Sequence, residues 1–468
     1  MRKMFTARYL TLAAAMLAIS AGCARIDPIE RPVVDTPASW QSAVALTDAG
    51  EHHIDPQWWT DFGSSQLNAL IEEAQAQSPE LDVAYERLRQ AQLRARSAGS
   101  SLFPSLNLGA GTSYRRDQDP LQGGWFSNET TSANLGVSYE LDLWGGVAAS
   151  RRAAEASFMA SEYDYVAANL SLTGAVASAW FEWLALAERV AVARENLALS
   201  ERVLQVVDAR YRNGAASAAD LARQQTNVLS QRANLPPLEF QAKQTRRALA
   251  VLLGRVPQDN DWQAEPLADL QVPTIDPIAP AELLLRRPDL ARAEAQLQSA
   301  DANVAVARTA FLPSVSLSAM AGLGASGLFT LSDANQSRNV SLSLSQAIFD
   351  GGQRRAQRGI SESQQRELVA QYRGAILDAL RETDDALGRV QLNETQEQSQ
   401  ADILEQAERT LHLTEVRYRE GSDELLTLID AQRSVFQARE QLIQARLSRL
   451  IAAVDLYKAL GGGWHPVE

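Results

Sequence analysis

Two distant parts of this 468-residue chain carry the same string of signals in the same order. Ser78-Pro79-Glu80-Leu81 opens a helical run that closes on Leu102-Phe103-Pro104-Ser105-Leu106. Arg287-Pro288-Asp289-Leu290 opens another that closes on Phe311-Leu312-Pro313-Ser314-Val315. Both proline pairs stand 209 residues apart. Ala209-Arg210-Tyr211-Arg212-Asn213-Gly214 returns as Val416-Arg417-Tyr418-Arg419-Glu420-Gly421, and Leu252-Leu253-Gly254 returns as Ala459-Leu460-Gly461, each 207 residues later. Register held this closely over such a span means that a whole structural unit is duplicated. The period is far beyond the roughly 20–50 residues of a solenoid. A functional site is therefore expected where both copies contribute.

The chain opens with Arg2, Lys3 and Arg8, an apolar run from Leu10 to Ile19, and then small residues, the layout of a secretory signal. It closes on Ser20-Ala21-Gly22-Cys23, and Cys23 is the single cysteine. This arrangement predicts a lipoprotein signal over 1–22, with Cys23 carrying N-acyl and S-diacylglycerol lipid. An ordinary signal peptide with a chance cysteine is the alternative. Loss of the three basic residues takes the formal net charge from −13 to −16, which argues against nucleic acid as a partner. One cysteine allows no intrachain disulfide. No run of about 18 apolar residues follows Cys23, so no transmembrane helix is expected. A membrane crossing would then have to be a β-barrel.

Four stretches alternate with period two. Leu106, Leu108, Ala110, Thr112 and Tyr114 share one face, opposite Ser105, Asn107, Gly109, Gly111 and Ser113. Ala133, Leu135, Val137, Tyr139 and Leu141 do the same opposite Asn134, Gly136, Ser138 and Glu140. In the second copy, Val315, Leu317, Ala319, Ala321 and Leu323 oppose Ser314, Ser316, Ser318 and Gly322, and Val340, Leu342 and Leu344 oppose Ser341, Ser343 and Ser345. The predicted strands cover about 104–115, 132–143, 313–325 and 340–349. Each is about ten residues, enough for a tilted transmembrane strand, although a water-soluble sandwich alternates in the same way.

The rest reads as helix. Val176, Trp183, Val190, Leu197, Leu204 and Tyr211 recur every seven residues, with Ala179, Leu186, Ala193, Ser200 and Val207 three further on. This is a coiled-coil seam. Leu404, Leu411 and Tyr418 continue its equivalent, which Glu397 interrupts, and Ile429, Phe436, Ile443, Leu450 and Tyr457 mark the last helix. Pro236-Pro237 predicts a kink. The loops near 115–132 and 326–339 join strands, the first holding Trp125-Phe126. Each copy thus reads helix, two strands, long helix, shorter helix. Four strands cannot close a membrane barrel, since about eight are needed, and an open edge in lipid is costly. The expected fold is therefore mainly α with a membrane β-barrel, made by a homotrimer whose twelve strands continue into a coiled-coil tunnel.

In Leu284-Leu285-Arg286-Arg287-Pro288-Asp289, the Leu-Phe-Pro-Ser and Phe-Leu-Pro-Ser segments, Leu141-Asp142-Leu143-Trp144-Gly145, Phe349-Asp350-Gly351-Gly352 and the paired Arg-Tyr-Arg turns, the chain resembles the TolC-like outer-membrane efflux channels. The branch it resembles is the lipoprotein one that serves resistance-nodulation-division pumps. The resemblance implies a signal at 1–22, an acylated N-terminus and extended or equatorial segment at 23–77, and a first repeat at 78–254. A proline-rich equatorial linker at 255–280, a second repeat at 281–461 and a tail at 462–468 follow. It implies a passive exit duct for small toxic molecules in the bacterial outer membrane. The partners implied are lipid, a periplasmic adaptor and an inner-membrane pump. A trimeric coiled-coil spacer lipoprotein and a type I protein-secretion duct are the competing readings.

The resemblance also places the Gly214 and Gly421 turns at the periplasmic tips, with Arg210 and Arg417 beside them for adaptor contact. Tyr418 matches the family tyrosine that links hairpins, and Asp220 the carboxylate that holds it. Asp430 matches an aspartate facing the closed aperture, with Leu426 as an apolar plug and Arg433 beside it. Asp423 stands where some members have an arginine that bonds the partner hairpin. Asp430 and Arg433 also read as a simple i,i+3 pair on a solvated face. His52, His53, His412 and His465 have no metal-ligand spacing. Past the signal only Met159 and Met320 remain, too few for a metal relay. Nothing assembles a nucleophile, base and oxyanion donor, so neither enzyme activity nor a cofactor is expected.

Overall fold

The computed structural model describes residues 31, 34–42, 54–118, 123–258, 262–275 and 279–465. The signal, Cys23, His52 and His53 lie outside the described residues. In chain order the elements are α1 (Ser65–Gln77), α2 (Pro79–Ser100), β1 (Ser105–Gln118), β2 (Trp125–Glu140), α3 (Gly146–Arg212) and α4 (Ala218–Leu252). The second half holds α5 (Pro280–Arg286), α6 (Pro288–Thr309), β3 (Ser314–Ser326), β4 (Asn335–Ser345), α7 (Gln353–Arg419) and α8 (Leu425–Ala459). The duplication is visible in lengths. Helices α2 and α6 both have 22 residues, α3 and α7 both 67, and α4 and α8 both 35.

The copies also close in the same way. Gly254, at φ +73°, approaches Gln77 so tightly that an added Cβ would stand 2.3 Å from the Gln77 carbonyl oxygen. Gly461, at φ +90°, meets the Arg286 carbonyl oxygen at 2.1 Å on the same test. Only glycine fits either place, and each target carbonyl lies two residues before the proline that starts the next helix.

The chain divides into two compact units. One comprises Arg87–Glu162 with Arg292–Arg373 and holds the sheet. Its strands run antiparallel in the order β1-β2-β3-β4. Strand β2 starts at Trp125, not near 132, and β4 spans 335–345, not 340–349. From Ser127 to Thr131 polar residues occupy both faces, so alternation disappears from the sequence while the backbone ladder continues.

The other unit comprises Val34–Glu86, Tyr163–Ala291 and Gly374–Glu468. Its core is aromatic: Trp58 stacks on Tyr457 with centroids 5.0 Å apart, and Phe62 meets Phe181 at 5.0 Å. The Tyr457 hydroxyl donates to Asp61 at 2.6 Å. Burial, together with that carboxylate, pushes its pKa up. The linker is pinned to this core, since Glu265 accepts from Trp180 Nε1 at 3.0 Å and from Ser64 Oγ at 2.5 Å. Arg446 donates to the carbonyls of Leu267 and Leu270. One 18-residue window of α3 is apolar enough by length and composition to cross a bilayer, but 61% of it is buried inside the protein.

One expectation changes. The segment before residue 78 contains helix α1, which buries Leu67, Leu70, Ile71 and Ala74 and is capped by Ser64. Pro236 and Pro237 lie inside α4, which continues through them. Both prolines are exposed, so water can satisfy the carbonyls that lose their amide partners.

Candidate channel wall and helix tips

The register turns the alternating pattern into two chemically distinct faces. On one, Leu106, Val137, Ala319 and Val340 form a row across all four strands. The neighbouring row holds Tyr139, Leu317 and Leu342. This face is uncovered: Leu108 is 80% exposed and Val340 74%. On the other face Ser105, Ser138, Ser318 and Ser341 form one row. Their hydroxyls pair at 2.7 Å between Ser105 and Ser138 and at 2.6 Å between Ser318 and Ser341. A sandwich would cover its apolar face with a second sheet, and among the described residues no second sheet exists. A wall with water on one side and hydrocarbon on the other fits both faces.

The motifs beside the sheet anchor the helices. Asp142 accepts from the amides of Val147 at 3.0 Å and Ala148 at 2.8 Å, and so caps α3. Asp350 takes the same role for α7 through Gly352 at 3.0 Å and Arg354 at 3.2 Å. Trp144 Nε1 donates to the Pro313 carbonyl at 2.6 Å, tying the first strand pair to the second.

At the far ends of α3 and α7 the two turns share a backbone. Ala215 N donates to Arg210 O and Ser422 N to Arg417 O, each at 2.8 Å, and these are the six-to-one bonds of a Schellman ending. Gly214 and Gly421 supply the left-handed residue at φ +71° and +77°. Below the turns Val207, Leu425 and Ile429 form a buried cluster, with Val203, Leu221 and Tyr418 packed against it. Both hairpins therefore contribute to one tip core.

The charged groups at the tips have partners within the protomer. Asp220 completes a capping box at the start of α4, accepting from Ser217 Oγ at 2.7 Å and Ser217 N at 3.1 Å. Those bonds, with Arg223 nearby, hold its carboxyl below the usual range. The Arg210 guanidinium lies 4.7 Å over the Tyr418 ring, a contact between the two hairpins of one protomer. Asp423 has a partner within its own hairpin. Its carboxylate receives Arg417 in a bidentate pair at 2.9 and 3.0 Å, which raises the Arg417 pKa. Both arginines beside the turns are therefore engaged inside the protomer.

Asp430 and Arg433 pair at 3.7 Å with both side chains 58% exposed, and Leu426 is 43% exposed. They border a groove of about 560 Å³ whose opposite wall is Arg223, Asn227 and Ser230 of α4. The sequence pattern did not reveal the ionic rungs behind the tips. Arg189 meets Glu440 at 2.8 Å, and Arg439 meets Glu195 at 3.1 Å and Glu408 at 2.9 Å. Glu397, read as an interruption, receives Arg446 at 3.0 Å and Arg449 at 2.8 Å.

A sequence profile described as outer membrane efflux protein matches residues 70–255 and 279–462, so each copy is matched separately. A pyoverdine export outer membrane protein of Pseudomonas putida, OpmQ, is 40% identical, covering 92% of each chain. Its namesake from Pseudomonas aeruginosa is 38% identical over 97% of each. The solved outer membrane channel MtrE of Neisseria gonorrhoeae superposes with a TM-score of 0.82 at 28% identity, covering 94% of this chain and 98% of that one. This chain belongs to the outer membrane efflux protein family, and its two-faced wall and paired helix tips are those of an outer-membrane exit duct for an efflux system.

Proposed function

We propose that three copies close one twelve-stranded barrel and that the duct they form is a passive exit for small molecules, opened at the helix tips. A periplasmic adaptor and an inner-membrane pump of the resistance-nodulation-division class would supply control and energy. Acylated Cys23 would add a lipid anchor. The observation that carries this reading is the sheet itself. It has four strands, free edges at β1 and β4, and an uncovered apolar face behind a polar one. An edge left open in hydrocarbon leaves backbone groups unpaired at several kcal/mol each, whereas pairing β4 with β1 of the next copy removes every edge. Asp430, Leu426 and Arg433 would then recur three-fold around the aperture. The names of the two OpmQ relatives support a pyoverdine-type siderophore as the first cargo to examine.

Strand parity tests the barrel. An arginine at Leu135, on the apolar face, should cost roughly 2–4 kcal/mol near mid-bilayer. The same change at Ser138, on the polar face, should leave assembly intact and alter single-channel conductance. Equal tolerance at both positions rejects the barrel. Secretion of a fluorescent siderophore by a deletion strain tests the cargo, and recovery of an ATP-binding-cassette pump in a crosslinked pull-down would replace the pump class named here.

A further inference from the structure

The apolar face of the sheet is not level across the strands. In β1 its exposed triplet is Leu106, Leu108 and Ala110, followed on the same face by Thr112, Tyr114 and Arg116. In β4 the triplet is Val340, Leu342 and Leu344, with Arg338 and Gln336 on the hairpin side. Since Leu106 and Val340 share a row, the β4 triplet lies two rows further from the hairpin end than that of β1. The central strands carry apolar residues on this face across the whole range, from Leu141 to Ala133 and from Val315 to Ala325. Two rows are about 13 Å along a strand, and three strand spacings are about 14 Å. A level band through both triplets therefore crosses the strands at about 40°, inside the roughly 35–45° tilt of membrane barrels.

That inclination relocates the arginines. The perpendicular row Leu108–Leu135–Ala321–Arg338 would put Arg338 amid apolar residues. The tilted band instead puts it level with Thr112, at the hydrocarbon edge. There an arginine costs roughly 0–1 kcal/mol, against 2–4 at mid-bilayer. Arg116 stands four residues beyond Thr112, about 10 Å further out at that tilt, and Trp125 stands six residues beyond Thr131, about 15 Å further out. The Arg116 guanidinium lies 5.3 Å over the Trp125 ring, and Trp125 is 61% exposed.

Among the described residues no carboxylate pairs with Arg116 or Arg338, whereas Arg115, on the polar face, pairs with Asp117 at 2.9 Å. Glu129 shares the apolar side opposite Tyr114, which leaves this collar at a net charge of +1. An ordinary phospholipid headgroup layer is only about 5–8 Å thick in each leaflet. Arg116 and Trp125 lie beyond such a layer but within one built of phosphorylated sugars.

Resting on the barrel reading above, we propose that this collar binds a phosphorylated glycolipid of lipopolysaccharide type. Arg338 would hold a phosphate at the hydrocarbon edge by charge-assisted hydrogen bonds. Arg116 and Trp125 would meet phosphate and sugar further out, the indole face stacking on the sugar.

Native mass spectrometry of the full chain, incubated in detergent with bisphosphorylated lipid A bearing inner-core sugars, tests this. The double variant Arg116→Gln with Arg338→Gln should retain at least ten-fold less glycolipid. Arg115→Gln should retain the wild-type amount, dephosphorylated lipid should bind as poorly as the double variant allows, and phosphatidylglycerol should not compete. Wild-type retention by the double variant, or equal displacement by phosphatidylglycerol, overturns the assignment. A chain that inserts into liposomes and conducts but retains no glycolipid loses this inference and keeps the barrel. A chain that fails to insert loses both.

Discussion

The two helix tips have one backbone and two chemistries. Both end in the same Schellman turn around a left-handed glycine, with identical bonding distances at the six-to-one step. Past the turn they part. The first hairpin starts α4 with the Ser217–Asp220 capping box, while α8 has no side-chain cap at Glu424. The second hairpin is instead spanned by Arg417 and Asp423. The arginines at equivalent places also diverge, since Arg417 stays within its own hairpin and Arg210 reaches across to Tyr418. Duplication preserved what the chain path requires and released what the surface does. Differences between the copies are therefore the place to look for gating, and identities the place to look for stability.

The closing glycines are the strongest test of the shared part. Gly254→Ala and Gly461→Ala each force a Cβ against a backbone carbonyl at a positive φ. Each should cost at least about 3 kcal/mol, read as a lower thermal unfolding midpoint in detergent. The two losses should be similar. A large loss at one glycine and none at the other would break the equivalence of the copies.

The caps should separate the tips by a smaller margin. Ser217→Ala removes the acceptor for the Asp220 amide and the hydroxyl that bonds its carboxylate, and should cost about 1 kcal/mol. Amide exchange should accelerate at 217–221 and stay unchanged at 421–428. Asp423→Asn should barely move the unfolding midpoint, because its partner is solvent-exposed. Acid should imitate the first variant. Asp220 has a depressed folded pKa, so its contribution is present above the unfolded value of about 3.9 and lost as pH falls through the lower folded one. Exchange at 217–221 that stays unchanged below that window would argue against the cap as the distinguishing device.

Much of this was legible in the sequence, for physical reasons. Strand parity was readable because a wall between two solvents imposes period two on every strand, and paired glycines marked both tips because the turn needs a positive φ. The strand ends were not, since residues 127–131 place polar groups on both faces. Helix α1 is short, although Leu67, Leu70, Ile71 and Ala74 carry its periodicity behind the cap Ser64. The Ser217–Asp220 capping box is local and legible as Ser-x-x-Asp, whereas the partners of Glu397 and Glu440 could not be read at all. Which carboxylate meets which arginine depends on how helices far apart in sequence are juxtaposed, and a single sequence holds no record of that. Family likeness points to Tyr418 and Asp220 but gives no sign of Ser217 against Asp220 or of Arg210 over the Tyr418 ring, both present within one protomer.

The smallest expected effect bears most directly on the gate. Arg210 and Arg417 are the same residue of the duplicated turn, so an alanine at either removes the same side chain from the same backbone. Arg210→Ala breaks a contact between the two hairpins, whereas Arg417→Ala breaks one inside a hairpin. An exposed cation–π contact is worth about 0.5–1 kcal/mol. That shifts an open–closed equilibrium by about two- to five-fold per copy, too little to register as instability. Basal conductance in planar bilayers should therefore rise with Arg210→Ala and stay at the wild-type level with Arg417→Ala. Arg210→Lys should restore closure only in part, since a lysine keeps the charge but loses the flat guanidinium that stacks on Tyr418. Tyr418→Leu, which removes the ring but keeps an apolar side chain against Val207, should match Arg210→Ala and add nothing to it in the double variant. Equal leakage from Arg210→Ala and Arg417→Ala would mean that the turns act as one charged ring rather than through a bridge between hairpins. Additive leakage from Arg210→Ala and Tyr418→Leu would mean that the two residues hold the tip independently.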